Sequence, residues 1–225
     1  MEGIIVINKP KGLTSHDVVA FIRRKFRIKR VGHAGTLDPL ATGVLVILLG
    51  KSTKLFEKFV GLDKAYRATL ILGMSTTSAD IEGKVTQTAP YDHIAKEDIE
   101  KVFGRFHGRI EQIPPMVSAI KRKGKKLYEL ARKGIEVERE PRFVTIHRLQ
   151  VQSFQKPHVT FYLECSKGTY VRQLAEDVGK VLGCGACISQ IERMKVGSFT
   201  IEEAVTLEEL NESHIQHWQG QESYT

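Results

Sequence analysis

The run GHAGTLDPLATGVL, residues 32–45, is the most informative stretch of this chain. It places one carboxylate, Asp38, in a loop of small and turn-forming residues just ahead of the apolar run at 44–49. Glycines let a backbone turn sharply and approach a ligand closely, and Pro39 biases Asp38 toward an extended conformation. The same pattern is also typical of a polar turn before a buried strand, so the segments on either side decide between the two interpretations.

Four further segments accompany this run. They are NKPKGLTS at 8–15, KAYRA at 64–68, QIPPM at 112–116 followed by SAIK at 118–121, and CSKGTYVR at 165–172. Together with residues 32–45, and in the same order, they resemble the motifs of TruB-type tRNA pseudouridine synthases. Those enzymes isomerise a uridine in the T-arm of tRNA. The resemblance runs from about residue 3 to residue 210.

The resemblance implies a pseudouridine synthase fold, with a mixed, mainly antiparallel central sheet flanked by helices and loops. The residues themselves indicate an α+β protein, because strands mix with helices and hairpins rather than with regular βαβ units. We expect one catalytic domain over residues 1–210 and a polar tail at 211–225. Many members of the family carry a C-terminal RNA-binding domain of the PUA type, which we do not expect here.

Hydrophobic periodicity predicts the local structure. The predicted strands are 3–7, 44–49, 65–72, a hairpin arm at 84–88 after a turn at 80–83, and the pair 142–152 and 158–165 joined near Pro157. The predicted helices are 15–26 with Ser15 as N-cap, 96–103, 169–182, and a last short helix capped by Thr206 and Glu209. Beyond Asn211 we expect the chain to fray.

Charge and hydropathy restrict the class of partner. The formal net charge is +8 and the pI is about 9.4, which favours a polyanionic partner. No apolar run reaches the ~18 residues of a membrane helix, and the chain reaches Asn8, Lys9 and Pro10 before a signal-peptide core could form. We therefore expect a cytoplasmic protein without membrane contact. The resemblance implies tRNA as partner and points to no protein partner, and we expect a monomer.

The cysteines and short motifs argue against metal, redox and nucleotide chemistry. Cys184 and Cys187 have the spacing of a zinc or redox pair, but no second pair accompanies them. The P-loop pattern ending at 50–52 needs a glycine where Leu45 stands. The chain also lacks the GxGxxG of a Rossmann methyltransferase and the motifs of a zinc deaminase. Pseudouridine formation neither oxidises nor hydrolyses, so we expect no cofactor and no metal.

The resemblance implies three catalytic residues: Asp38, Tyr66 and Arg172. As a carboxylate, Asp38 could attack the sugar, attack the base or assist removal of a sugar proton, and these routes stay open. Arg172 is implied to pair with Asp38, because a guanidinium holds a carboxylate in fixed geometry and keeps it ionised. Tyr66 is implied to stack on the target uracil, although a tyrosine on a strand is commonly a core residue.

The resemblance also implies substrate contacts. Tyr170 would line the base pocket beside Tyr66, His33 would contact the RNA, and Ile191 would pack in the pocket. Lys9 would touch phosphate or brace the catalytic loop. Two basic clusters, at 23–30 and 121–126, are candidates for phosphate contact with salt-sensitive affinity.

Two other functions fit the same residues. A non-catalytic RNA-binding or tRNA-folding protein would use the basic charge equally well, although binding alone does not need Asp38. A synthase directed at a different RNA fits the motifs less closely.

Overall fold

The computed structural model describes residues 1–116, 121–122, 125–126, 135 and 137–218. The residues form two compact units. Unit 1 comprises Met1–Tyr66 and Ile191–Thr225, and unit 2 comprises Arg67–Gln190. The sequence segments SAIK at 118–121 and the basic cluster at 121–126 lie wholly or largely outside the described residues.

The strands of the described residues are, in chain order, β1 Gly3–Lys9, β2 Val31–His33, β3 Thr42–Leu49, β4 Lys64–Leu72, β5 Met74–Thr76, β6 Val85–Thr88, β7 Gly108–Gln112, β8 Lys121–Arg122, β9 Lys125–Lys126, β10 Arg142–Gln155, β11 His158–Cys165, β12 Ala186–Val196 and β13 Phe199–Thr200. The α-helices are α1 Ser15–Lys25, α2 Phe56–Val60, α3 Lys96–Arg105 and α4 Val171–Leu182. Short 3₁₀ helices cover Gly50–Leu55, Ile201–Glu203 and Glu212–His214.

Unit 1 is built on β3, which pairs with strands on either side. β1 and β2 run antiparallel to β3, whereas β12 runs parallel to it, with Glu192 opposite Thr42 and Arg193 opposite Gly43. Alternate residues of β1 and β3 enter two separate apolar clusters, one on each face of the sheet. The strand predicted at 44–49 is confirmed as part of β3. Its sequence is a continuous apolar run because the strand is buried on both faces.

Helix α1 confirms the predicted helix but corrects its start. Thr14, not Ser15, is the N-cap: its hydroxyl accepts from the Asp17 amide at 3.1 Å, and the Asp17 carboxylate accepts from the Thr14 amide at 2.8 Å. This reciprocal capping satisfies two of the helix's free amides. Ser15 is therefore left to bond elsewhere, and its partner lies in the Asp38 loop.

Unit 2 has the strand order β12-β4-β11-β10-β7, in which β10 is antiparallel to both β11 and β7. Helix α3 packs on this sheet through Phe103, whose ring meets that of Phe161 edge-on at 5.6 Å between centroids. The predicted strand pair around Pro157 and the predicted helices at 96–103 and 169–182 are confirmed, although α4 begins two residues later, after Tyr170 as N-cap. β4 and β12 contribute residues to both units.

The C-terminal segment differs from expectation. The Thr206 and Glu209 side chains bond to each other at 2.8 Å, but residues 207–209 form only a turn, so the predicted last helix is wrong. The chain does not fray over 211–218. Gln216 bridges to Ile4, and the Trp218 ring packs on Phe59 at 4.9 Å. The partly buried side chains of Ile215 and Trp218 pack against the apolar clusters of unit 1 and hold this otherwise largely exposed segment in place.

The predicted α+β class, with a mixed and mainly antiparallel sheet, is confirmed. Within the described ranges, no helix is both long and apolar enough to cross a membrane.

Candidate active site

Asp38 lies in a loop between β2 and β3 that two buried leucines anchor. Leu37 and Leu40 point into the core of unit 1, while Asp38 between them remains partly exposed. The Ala41 amide donates to the Asp38 carbonyl at 3.0 Å, which closes a turn over Pro39. The loop therefore presents its one carboxylate from a backbone that cannot shift without disturbing the core.

The N-terminal segment fixes this loop from one side. The Ser15 hydroxyl accepts from the Leu37 amide at 2.8 Å and donates to the Leu37 carbonyl at 3.1 Å. The Gly12 amide donates to the Pro39 carbonyl at 2.8 Å. The segment at 8–15 thus bonds to the residues immediately before and after Asp38, which is a physical reason for the two segments to occur together.

Lys9 is a buried cation in the same segment. Its side chain is 0% exposed and donates to the carbonyls of Leu13 at 2.6 Å and Pro10 at 2.9 Å. Burial lowers the pKa of Lys9 to about 8, and the charge of Asp38 opposes that shift. These contacts favour the bracing role that the sequence left open over direct contact with phosphate.

Arg193 fixes the Asp38 loop from the other side, and sequence reasoning missed it. The guanidinium is 1% exposed and donates through Nε to the Val44 carbonyl at 2.7 Å. Its terminal nitrogens donate to the carbonyls of Gly35 at 3.1 Å and Thr36 at 3.3 Å. The side chain also hydrogen-bonds to the Tyr66 hydroxyl. Its sequence context, IERMK, mixes charges with apolar residues and predicts no buried arginine.

His33 is partly buried at the end of β2. Burial lowers its pKa to about 4, and the positive charges of His16 and Arg193 act in the same direction. The imidazole is therefore neutral at neutral pH, which suits hydrogen bonding to RNA better than proton donation from a cationic ring. Ile191, at the other end of this unit's sequence, packs partly buried against the apolar cluster that contains Leu45.

Arg172 belongs to unit 2, where it pairs with a residue that the sequence analysis treated only as part of a turn. Its Nη1 lies 3.2 Å from Asp80 Oδ2 and 3.1 Å from the Ser78 carbonyl, and both charged side chains are 6% exposed. The other Asp80 oxygen accepts from the Ser78 hydroxyl at 2.6 Å and the Glu82 amide at 3.0 Å. Arg172 is thus a buried, oriented guanidinium. Its pairing with Asp38 stays a prediction.

Tyr170 is the N-cap residue of α4, in the same unit as Arg172. The buried Gln112 amide holds its backbone: Oε1 accepts from the Tyr170 amide at 2.8 Å, and Nε2 donates to the Tyr170 carbonyl at 3.1 Å. These two hydrogen bonds connect the QIPPM segment to the CSKGTYVR segment. They fix the backbone at the point where the chain enters α4, and so the position from which the side chains of Tyr170 and Arg172 extend.

Two protein families match adjoining parts of this chain. The family described as "TruB family pseudouridylate synthase (N terminal domain)" matches residues 23–171, and "tRNA pseudouridylate synthase B C-terminal domain" matches residues 172–224. The chain belongs to the TruB family. The resemblance seen in its motifs is thereby confirmed.

Individual proteins similar to this chain carry a name that matches the family. tRNA pseudouridine synthase B of Symbiobacterium thermophilum is 51% identical over 213 residues, covering 93% of this chain and 71% of the relative. The protein of the same name from Clostridium tetani is 50% identical over 218 residues, covering 97% and 75%. This TruB-family chain therefore resembles synthases of that name over most of its length.

Solved structures show the same fold. The chain is similar to one in the crystal structure of a Cbf5–Nop10–Gar1 complex, with a TM-score of 0.73 and 31% identity over 92% of this chain. It is also similar to a chain of an H/ACA RNP bound to a substrate RNA containing 2′-deoxyuridine, with a TM-score of 0.69 and 27% identity. The TruB-family chain spans about half the length of these neighbours, 53% and 52%.

The cysteines of this TruB-family chain are buried free thiols. Burial raises the pKa of Cys187 to about 11 and also raises that of Cys184. Since the thiolate is the form that binds metal or attacks a disulfide, neither residue is suited to those reactions. In the part of the chain that the structure describes, no three His, Cys, Asp or Glu side chains are grouped as a metal site.

Proposed function

We propose that this chain is a tRNA pseudouridine synthase that converts uridine 55 in the T-arm of tRNA to pseudouridine. The observation that carries the proposal is the bracing of the Asp38 loop. Ser15, Gly12 and Arg193 bond to its backbone on both sides of a partly exposed carboxylate. Catalysis by a positioned group requires such a fixed backbone, whereas binding alone does not. Relatives named tRNA pseudouridine synthase B support the same reaction.

The reaction exchanges one glycosidic bond for another. The N1–C1′ bond of uridine breaks, the uracil turns, and C5 bonds to C1′. C5 then loses its proton and N1 gains one, so atoms and electrons balance without a cofactor. Asp38 would serve as the essential carboxylate, by attack on the sugar, attack on the base or removal of a sugar proton.

The remaining site residues would hold the base and the RNA. Tyr66 would stack on the extruded uracil, with its hydroxyl oriented by Arg193. His33, neutral at neutral pH, would accept or donate a hydrogen bond to the RNA. Ile191 and Tyr170 would complete the base pocket, and Arg172 would face Asp38 while Asp80 keeps the guanidinium oriented.

A basic segment of unit 1 supports an RNA partner. The end of α1 and the loop after it carry exposed cations: Arg23, Arg24, Lys25, Arg27, Lys29 and Arg30. This segment leads directly into β2 and the Asp38 loop. We propose that it contacts tRNA phosphates, that the enzyme acts in the cytoplasm, and that it acts as a monomer.

The proposal is tested by locating the product. The purified chain is incubated with three RNAs: unmodified tRNA, an isolated T-arm stem-loop and a tRNA with cytidine at position 55. After pseudouridine-specific labelling, nuclease fragments of each RNA are analysed by mass spectrometry. Pseudouridine at position 55 alone is expected, with none in the cytidine control. Binding of all three RNAs without pseudouridine would favour the non-catalytic RNA-binding protein, and pseudouridine elsewhere would favour a synthase with a different target.

A further inference from the structure

Arg193 is a fully buried arginine that bonds to the backbone on both sides of Asp38 and to the Tyr66 side chain. Its guanidinium donates to the carbonyls of Gly35, Thr36 and Val44, at 3.1, 3.3 and 2.7 Å. Gly35 and Thr36 precede Asp38 in the loop, and Val44 follows it. One planar side chain thus connects the two ends of the segment that presents the carboxylate.

The backbone of Arg193 is fixed to the same segment. Arg193 pairs with Gly43 in the parallel ladder between β12 and β3. Gly43 has φ +98°, and a Cβ there would lie 2.3 Å from the Arg193 carbonyl oxygen. Only glycine permits this approach, so the sequence ATGVL sets the register that directs the guanidinium at the loop.

The charge of Arg193 also faces the reacting groups. Burial lowers the pKa of Arg193, but Tyr66 and Asp38 oppose the shift. Because the ordinary pKa of an arginine lies far above neutral pH, the guanidinium stays protonated. A protonated guanidinium has five donors in a rigid fork, enough for three carbonyls and the Tyr66 hydroxyl together. A lysine ammonium at the same place is a point charge with three donors and a flexible stem.

We propose that Arg193 is a positioning residue for the isomerisation: it sets the Asp38 loop and the Tyr66 hydroxyl relative to each other. The inference rests on the proposed function. It acts through the backbone of residues 35–44 and through Tyr66, and Arg193 itself need not touch the substrate. Because the group it positions performs the chemical step, its loss should slow that step more than it weakens RNA binding.

The competing explanation is that Arg193 only satisfies buried carbonyls and so stabilises the unit. Single-turnover kinetics separates the two. With enzyme in saturating excess over tRNA, the rate constant reports the chemistry of folded enzyme, since unfolded protein does not bind. A stabilising residue would lower the folded fraction and the melting temperature, and leave that rate constant unchanged.

The test compares wild type, Arg193→Lys and the matched control Arg148→Lys, an exposed arginine of unit 2. Tritium release from 5-tritiated tRNA gives the single-turnover rate constant, and filter binding gives Kd. For Arg193→Lys we expect the rate constant to fall ~10- to 100-fold, the loss typical of a misplaced reacting group, with Kd changed less than ~3-fold. The control should match wild type in both.

An unchanged rate constant in Arg193→Lys would overturn the positioning role while leaving the proposed function intact. Absence of release by wild type would instead remove the proposed function. If Arg193→Lys yields no folded protein, Arg193→Gln is measured in the same way, because its uncharged amide can still donate to two of the carbonyls. Failure of both variants to fold would assign Arg193 to the scaffold and also overturn the proposal.

Discussion

The Arg172 guanidinium and the Asp80 carboxylate form an ion pair at 3.2 Å in which both side chains are 6% exposed. The carboxylate is held in turn by Ser78 and Glu82, so the pair has one defined geometry. Removing one partner of such a buried pair is costly, because the other charge keeps its desolvation penalty and loses its attraction.

Asp80→Asn should therefore destabilise the protein by about 3 kcal/mol, as measured by urea unfolding. It should also lower the single-turnover rate, since the orientation of Arg172 depends on Asp80. The matched control is Glu100→Gln, which removes an exposed ion pair with Lys96 at 3.3 Å and should cost less than about 0.5 kcal/mol. Equal effects of the two variants would contradict the role given to burial.

Ser15→Ala removes the hydroxyl that bonds to both backbone groups of Leu37. Two buried backbone groups then lack this partner, so we expect a loss of about 2 kcal/mol in unfolding free energy. The turnover rate should fall as well, because the Asp38 loop loses one of its braces. Ser153→Ala, at an exposed position of β10, is the control and should change neither quantity. A stable but inactive Ser15→Ala would show that the hydroxyl acts in the chemistry rather than in bracing.

Gly43→Ala tests the close approach of β12 to the loop. Gly43 and Gly183 both have positive φ, +98° and +80°. A Cβ at Gly43 would lie 2.3 Å from the Arg193 carbonyl oxygen, whereas among the described residues no atom lies within 4 Å of a Cβ at Gly183. Gly183→Ala should cost about 1–2 kcal/mol of backbone strain. Gly43→Ala should cost clearly more in the same urea titration. A smaller cost at Gly43 would mean that the two strands separate easily there.

Lys9 should respond to the charge of Asp38. Its pKa is lowered to about 8 by burial, and Asp38 counteracts part of that shift. In Asp38→Asn the opposing charge is gone, so the pKa of Lys9 should fall further. The Lys9 ¹³Cε chemical shift, followed against pH, measures it. Asp92→Asn, at an exposed position, should leave the pKa as in wild type. An unchanged value in Asp38→Asn would show that Lys9 does not sense the carboxylate.

His33 should make acid stability pH-dependent. Its pKa is about 4 in the folded protein and near 6.5 when unfolded, so between these values the unfolded state binds more protons. Stability should therefore fall as pH drops from 6.5 to 4, by roughly 2 kcal/mol relative to His33→Gln. Urea unfolding at pH 4.5 and 7 measures this difference, with exposed His158→Gln as control. A difference that does not vary with pH would contradict the buried neutral imidazole.

Local patterns were sufficient to predict much of the fold. Residues 44–49 are uniformly apolar because β3 is buried on both faces, and α4 shows helical spacing because one of its faces packs on unit 2. Strand Ala186–Val196 was not predicted. Its charged residues do not alternate with apolar ones at the spacing of a strand. Its pairing with β3 depends on contacts between residues about 150 positions apart in the sequence.

In the candidate site, too, local motifs predicted some residues, whereas residues defined by distant partners were not predicted. The loop motif and the order of segments predicted Asp38 as the carboxylate to examine. They did not predict Asp80 or Arg193, because each is defined by a partner distant in sequence: 92 residues separate Asp80 from Arg172, and 149 separate Val44 from Arg193. A turn aspartate and a strand arginine look like solvated residues until the fold brings those partners close.

The most direct measurement is single-turnover tritium release from 5-tritiated tRNA by wild type, Asp38→Asn and Asp92→Asn, each shown by circular dichroism to be folded and by filter binding to hold the RNA. Wild type and Asp92→Asn should release tritium at the same rate, and Asp38→Asn should stay at background while binding tRNA normally. Release by Asp38→Asn at the wild-type rate would contradict the assignment of Asp38 as the essential carboxylate.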